Sequence, residues 1–177
     1  PEMRRLAALA SQAAVAVQNL RLLDESQRRA SQLQTAAEIA RDTSSTLALD
    51  TLLQRSVSLI CERFGYYHAS IFLLDENGLE AVVRESTGAA GEEMKRRSHS
   101  LPVGGRSVIG QVTASGQALV LNDINLEEAR SIHQPNPLLP QTRAELGIPL
   151  KIGERVIGAL DVQATQPNIF SEDDISM

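Results

Sequence analysis

The chain has 177 residues, 42% of them hydrophobic and 22% charged, which fits one compact domain plus an appendage and leaves no room for two full domains. A formal net charge of −5 argues against a basic nucleic-acid binder, and with no Trp, two Tyr and three Phe there are few platforms for stacked bases. The single cysteine, Cys61, excludes a disulfide framework, a four-thiolate zinc site and a CxxC redox pair, and points to a reducing, cytoplasmic setting.

Residues 3–41 hold no Pro and no Gly and are rich in Ala, Leu, Gln and Arg, so a long helix is predicted. Leu6, Leu9, Ala13, Ala16, Leu20 and Leu23 alternate steps of three and four, the seam two helices share in a coiled coil. A second seam through Ala30, Leu33, Ala37 and Ala40 is offset from the first, as after a three-residue register shift. Periodicity serves a helix packed on its own domain equally well. At roughly 58 Å, however, such a helix outreaches a small domain's core, so part of it should project or pair. Its longest charge-free stretch, Leu6 to Leu20, falls short of the ~20 apolar residues a membrane span needs.

A second helix is expected from about Leu49 to Phe64, with Leu52, Leu53, Val57, Leu59 and Ile60 as its apolar stripe and Gly65 as its end. The period then becomes two: residues 68–74 and 79–86 flank a hairpin turn, Asp75-Glu76-Asn77-Gly78. Gly88 to Arg97 reads as a polar crossing with one helical turn. Ser107 caps a short helix closed by Gly116, and Ala118 to Leu121 is a strand. Asn122 to Thr142 carries Pro135, Pro137 and Pro140, is long for a plain connection, and is of the kind that covers binding sites. A final hairpin joins Glu145–Ile152 to Arg155–Ala164 through Gly153-Glu154. Ser171-Glu172-Asp173-Asp174 offers a capping box for a further helix. With Pro1 at the start and Met177 inside that helix, a fragment of a longer protein is expected.

Few residues are arranged for chemistry. His68, His99 and His133 lack the short spacing that presents two imidazoles to a metal, and only His133, in the covering loop, keeps a claim on a ligand. No G-x-S-x-G elbow and no phosphate loop is present, and Lys95-Arg96-Arg97 beside Glu92 and Glu93 reads as a solvated face. Cys61 sits on an apolar helix face, where packing is its expected role. Glu145 and Asp161 stand out because a carboxylate in an apolar strand is costly unless exposed, paired or facing a ligand cavity. Glu145 could pair with Arg143. A two-residue turn at Gly153-Glu154 sets Leu146 opposite Asp161 and Glu145 opposite Val162, which sends the carboxylates to different faces. Pro149, lacking a ladder donor, offers a place for a bulge that would reunite them.

Five stretches in order, Gly105-Arg106-Ser107-Val108-Ile109-Gly110, Leu121-Asn122-Asp123-Ile124, Glu145-Leu146-Gly147-Ile148-Pro149-Leu150, Val156-Ile157-Gly158-Ala159-Leu160-Asp161-Val162 and Phe170-Ser171-Glu172-Asp173-Asp174, resemble the successive signatures of a GAF domain over about residues 36–177. Asn136 to Glu145 is especially similar to GAF domains of multidomain bacterial sensor histidine kinases. Leu6 to Asn19 resembles the closing helix of such a domain, which divides the chain into a linker or coiled-coil helix, 1–41, and a GAF domain, 42–177, lacking its last helix.

The resemblance implies an α+β fold: a central antiparallel sheet of five or six strands, helices on one face, a loop and short-helix lid on the other, and a long N-terminal signalling helix. It implies a sensory or relay module of a two-component system that binds an unidentified small ligand or transmits change through a helical dimer. A ligand-free dimerisation spacer and a cyclic-nucleotide-binding domain are the alternatives. Bilin attachment needs a cysteine at the pocket and the reductase-type GAF domain needs several. The nucleotide-binding pattern departs here at Asp123 and Ile175. No enzymatic activity, metal or cofactor is therefore expected of this fragment.

Glu145 and Asp161 match acidic positions that bind substrate in the reductase-type domain. The expected pocket lies between the sheet and residues 104–143, with Phe72, Asn122, His133, Arg143, Glu145 and Asp161 as candidate ligand contacts. Expected partners are a second copy through the N-terminal helices, a small molecule, and neighbouring GAF and kinase domains, with no nucleic acid and no membrane. The opening helix, through Ala13, Ala14, Ala16 and Val17, is expected to cover the sheet face opposite the pocket, within the chain or from a dimer partner.

Overall fold

The computed structural model describes residues 2–171, and between residues 2 and 45 it describes the backbone with the side chains of only some positions. The chain divides into two units between Ala48 and Leu49. Of the Leu and Ala seams only the Leu33 side chain is described, and it is 73% exposed; the other seam positions, the packing expected of Ala13 to Val17 and the capping box from Ser171 lie outside the described residues and side chains.

Helix α1 (Glu2–Phe64) is continuous over 63 residues, where two separate helices were expected. No Pro or Gly occurs anywhere in it, so the polar run Asp42 to Thr46 has nothing that breaks the backbone ladder. It stops at Gly65, whose φ of 70° the left-handed region allows without a Cβ clash. Its last turns bury one stripe only: Val57, 1% exposed, packs with Ala69 and Ile71 alongside Leu53, Ile60 and Cys61. Leu52 and Leu59, assigned to that stripe from the sequence, are 60% and 41% exposed.

The strands β1 (His68–Leu74), β2 (Glu80–Ser86), β3 (Ser100–Pro102), β4 (Leu119–Leu121), β5 (Ala144–Ile152) and β6 (Arg155–Ala164) form one antiparallel sheet in the order β3-β2-β1-β6-β5-β4. The polar crossing is a nine-residue helix, α2 (Gly88–Arg96), and Ser98, at φ 48°, turns the chain back into the edge strand β3, which periodicity could not show in three residues. Helix α3 (Val108–Ser115) begins at Ser107, whose hydroxyl accepts from the Gly110 amide at 2.9 Å, and ends at Gly116.

The two sheet faces carry different cores. Phe72, Ala81, Val83 and Ala159 meet Met94 of α2, Val108, Ile109 and Val112 of α3, and Leu139 of the proline-bearing connection. Leu146, Val162, Ala164 and Phe170 pack with Ile60 and Tyr66 near the end of α1. Helix α3 lies close on β5 because Gly147 has no side chain: a Cβ there would stand 2.8 Å from methyl carbons of both Val108 and Val112.

The β5–β6 ladder starts as its turn dictates, with Ile152 opposite Arg155 and Lys151 opposite Val156. The next pair is Leu150 and Gly158, so Ile157 is skipped and every later partner moves by one residue. Glu145 therefore faces Gln163, and Gly147 faces Asp161. This corrects the simple alternation expected from the turn, and the bulge sits beside Pro149, between Leu150 and Lys151.

Candidate functional site

The shifted register puts the two acidic residues on one face. Glu145 is level with Gln163 and His68, and Gly147 is level with Asp161 and Ser70, so these side chains share the sheet surface that carries Phe72. Above it lies a cavity of about 130 Å³. Phe72, Glu145, Asp161 and Gln163 form its floor. Met94, His99 and Leu101 form one wall, Ser107 and Ile109 another, and Gln134 to Pro137 with Leu139 the roof.

The floor is acidic and deeply buried. Asp161 is 3% exposed, and its Oδ2 accepts from Gln163 Nε2 at 2.8 Å while Gln163 Oε1 accepts from the Thr142 hydroxyl at 2.6 Å. Asp161 Oδ1 has no donor among the described residues. Burial first, and the neighbouring Glu145 second, hold the Asp161 carboxyl well above the usual carboxylate range. Glu145 is 7% exposed and accepts from His133 Nδ1 at 2.7 Å. That bond clasps the connection between β4 and β5, residues 122–143, down over the cavity like a strap.

The polar floor continues past the cavity. His68 Nε2 lies 2.9 Å from the hydroxyls of Ser70 and Ser86, and its Nδ1 lies 3.2 Å from the Thr87 hydroxyl. Burial pulls the His68 pKa down to about 4, so the imidazole is neutral at physiological pH. His99, also shifted down by burial, meets Phe72 edge-on at 6.2 Å between ring centroids. Among the described residues no Lys or Arg lines the cavity.

The six candidates from the sequence separate into two groups. Phe72, Glu145 and Asp161 line the cavity, and His133 holds Glu145. Asn122 is elsewhere: its side chain brackets the Phe170 backbone, donating to the carbonyl at 2.9 Å and accepting from the amide at 3.1 Å. Arg143 donates to both Asp123 oxygens at 3.1 and 3.2 Å, fixing the start of the strap to β5 and not pairing with Glu145. Sequence reasoning missed Gln163, Met94, His99, Ser107 and Ile109. For Gln163 a signal existed, since it stands two residues beyond Asp161 on the same strand.

Cys61 belongs to the other face of the sheet, where burial raises its thiol pKa and its sulfur lies 3.8 Å from the Thr87 hydroxyl. Among the described residues no group of three or more His, Cys, Asp or Glu could hold a metal ion, and no helix is long and apolar enough to cross a membrane.

No curated protein matches the chain. Among solved structures it is similar to the GAF domain from Acinetobacter phosphoenolpyruvate-protein phosphotransferase, at 27% identity over 82% of this chain and 84% of that one, with a TM-score of 0.62. It is similar to the free methionine-R-sulfoxide reductase from Neisseria meningitidis in complex with its substrate, at 26% identity over 72% and 69% of the two chains, with a TM-score of 0.58. A domain described as part of a two-component sensor histidine kinase from Sinorhizobium meliloti 1021 shares the fold, at 16% identity over 71% and 79%, with a TM-score of 0.50. The family model for the GAF domain matches residues 46–177. With that match over most of its length and this sheet, helix and strap arrangement, the chain belongs to the GAF domain family.

Proposed function

We propose that this GAF domain is a non-catalytic sensory module of a bacterial signalling protein, a histidine kinase by resemblance, that holds a small ligand on the Glu145–Asp161 floor. The observation that carries this reading is Asp161 itself: a carboxylate 3% exposed, with one oxygen unanswered, on the floor of a cavity. A buried polar group without a partner costs of order 1–3 kcal/mol, a cost that a bound ligand offsets. The similar reductase was solved with its substrate bound, and the acidic positions match by resemblance.

Two alternatives fit less well. The reductase chemistry needs several cysteines by resemblance, while this chain has one, on the far side of the sheet from the cavity. A cyclic nucleotide is far too large for about 130 Å³, since drug-sized ligands occupy pockets of about 300–1,000 Å³. A spacer with a closed pocket is the second reading, favoured by the His133 clasp on Glu145. In the larger protein, residues 1–41 would serve as the linker helix and pair with a second copy, and 42–177 as the sensing domain.

Native mass spectrometry of the purified chain tests this reading. A retained small molecule, absent from Asp161→Ala, is the expected result. If the protein carries nothing and no metabolite mixture shifts the NMR signals of Phe72, Met94 or Gln163, the spacer reading stands instead.

A further inference from the structure

Buried side chains at the start of β1 form a chain of polar contacts that crosses from the cavity face of the sheet to the last turns of α1. His68 is 2% exposed, and both of its ring nitrogens have partners. Nε2 lies 2.9 Å from the hydroxyls of Ser70 and Ser86, which are 2.8 Å from each other and paired across β1 and β2. Nδ1 lies 3.2 Å from the Thr87 hydroxyl, which accepts from the Ala69 amide at 3.0 Å and stands 3.8 Å from Cys61 Sγ. Cys61 packs against the core of the opposite face, with Val57 and Ala69. Thr87 occupies the N-cap position of α2, yet its side chain makes no capping bond there. Its hydroxyl is committed to this chain instead.

Burial keeps the His68 ring neutral at physiological pH, so it carries one N–H, and only two arrangements pair both nitrogens. With the hydrogen on Nε2, the ring donates to a serine and Nδ1 takes the Thr87 hydroxyl hydrogen. Thr87 then has no hydrogen left for Cys61 and only accepts from the thiol. With the hydrogen on Nδ1, the ring donates to the Thr87 oxygen, whose own hydrogen is released toward the sulfur, and a serine donates to Nε2. Passing from one tautomer to the other reverses every donor along the chain. The first arrangement is favoured, because it spends the Thr87 hydrogen on an imine nitrogen at 3.2 Å and not on a sulfur at 3.8 Å.

We propose that His68 is a two-state relay, whose tautomer ties the hydroxyls of Ser70 and Ser86 on the cavity face to the donor that the Cys61 thiol meets on α1. Energetic coupling between two faces needs an element with discrete states that both faces bias, and the ring supplies one. By linkage, a change at either end reaches the other. The relay goes beyond the ligand-sensing reading, since it operates whether the cavity is filled or empty.

Two readouts on the full chain test it. NMR of the ring nitrogens reports the tautomer, and the pH profile of iodoacetamide alkylation reports the acidity of Cys61, the single and partly exposed thiol. The native ring should show Nε2–H. Ser70→Ala and Ser86→Ala, taken singly, each leave one hydroxyl to accept from Nε2 and should change neither readout. Together they leave Nε2 without a partner, so the ring hydrogen should move to Nδ1, where Thr87 still accepts it. The freed Thr87 hydrogen then turns to the sulfur, and the alkylation midpoint should fall by about half a pH unit, about threefold more thiolate below it. In a Thr87→Val background the same pair should leave the midpoint unmoved.

Cys61→Asp tests the reverse direction without touching the cavity face, and decides the matter if the double serine variant does not fold. Its longer side chain closes the 3.8 Å gap and its carboxylate accepts the Thr87 hydrogen, so the ring should show Nδ1–H, whereas Cys61→Ala should keep Nε2–H. A native ring protonated on Nδ1, or a ring that keeps Nε2–H in the folded double variant or in Cys61→Asp, overturns the relay. So does a thiol midpoint that stays fixed when the ring switches, or that moves equally once Thr87 is replaced.

Discussion

Substituting Gly147 with Ala would probe how the site is assembled, because this residue lets α3 approach the floor next to Asp161. The added Cβ would lie 2.8 Å from Val108 Cγ1 and 2.8 Å from Val112 Cγ2. Carbon atoms rest about 3.5–4.0 Å apart, so both contacts fall short by roughly 0.7–1.2 Å. Neither valine can turn aside, since both are 0% exposed on the buried face of α3. The helix must lift, and overpacking of this kind costs about 1–3 kcal/mol. Urea unfolding followed by circular dichroism should show that loss as a lower midpoint. The decisive arm is a double-mutant cycle with Val112→Ala, which removes one of the two clashing methyls. Together the substitutions should be less destabilising than the sum of each alone, by about 0.5–2 kcal/mol. Strict additivity would refute the packing argument, and an unchanged midpoint for Gly147→Ala would refute it more directly.

Asp161 also predicts a pH dependence of stability. Its folded-state pKa is raised by burial, so its contribution is complete below the unfolded value near pH 4 and is lost as pH rises through the folded value, at up to about 1.4 kcal/mol per unit. His68, depressed to about 4, contributes the opposite slope between about pH 4 and 6.5. The difference between the native chain and Asp161→Asn therefore isolates the aspartate, and a difference constant from pH 5 to 8 would refute its protonation. His133→Ala removes the clasp on Glu145, and limited proteolysis should cut the strap between Gln134 and Thr142 several times faster; equal rates would show that the clasp does not hold it. On α1, Val57→Ala should cost about 1–3 kcal/mol and Leu52→Ala under about 0.5 kcal/mol in monomeric protein, as urea midpoints would show, because only Val57 is buried.

The elements legible in the sequence were those with local causes. The Asn77-Gly78 and Gly153-Glu154 turns, the Ser107 cap and the Gly116 stop each name their own geometry, and each element lies where it was expected. Those that were not legible depend on distant partners. A three-residue strand such as Ser100–Pro102 exists because β2 lies beside it, and its own sequence carries no period. The apolar stripe of α1 misled for a related reason: Leu52 and Leu59 have the right spacing to join Val57, yet which side of a helix is buried is decided by the sheet beneath it.

The candidate site shows the same limit and what overcomes it. Glu145 and Asp161 were conspicuous as carboxylates in apolar strands, but turn geometry alone placed them on opposite faces. A single skipped residue, Ile157, reverses that result for every pair beyond it, because side chains alternate with a period of two. The energetic logic runs the same way. Without the bulge, the opposing face would receive one charged group among Leu146, Val162 and Phe170, where nothing answers it. With it, both acids reach the one surface where the strap, Gln163 and a cavity can accept them. The bulge is therefore the element on which the site depends.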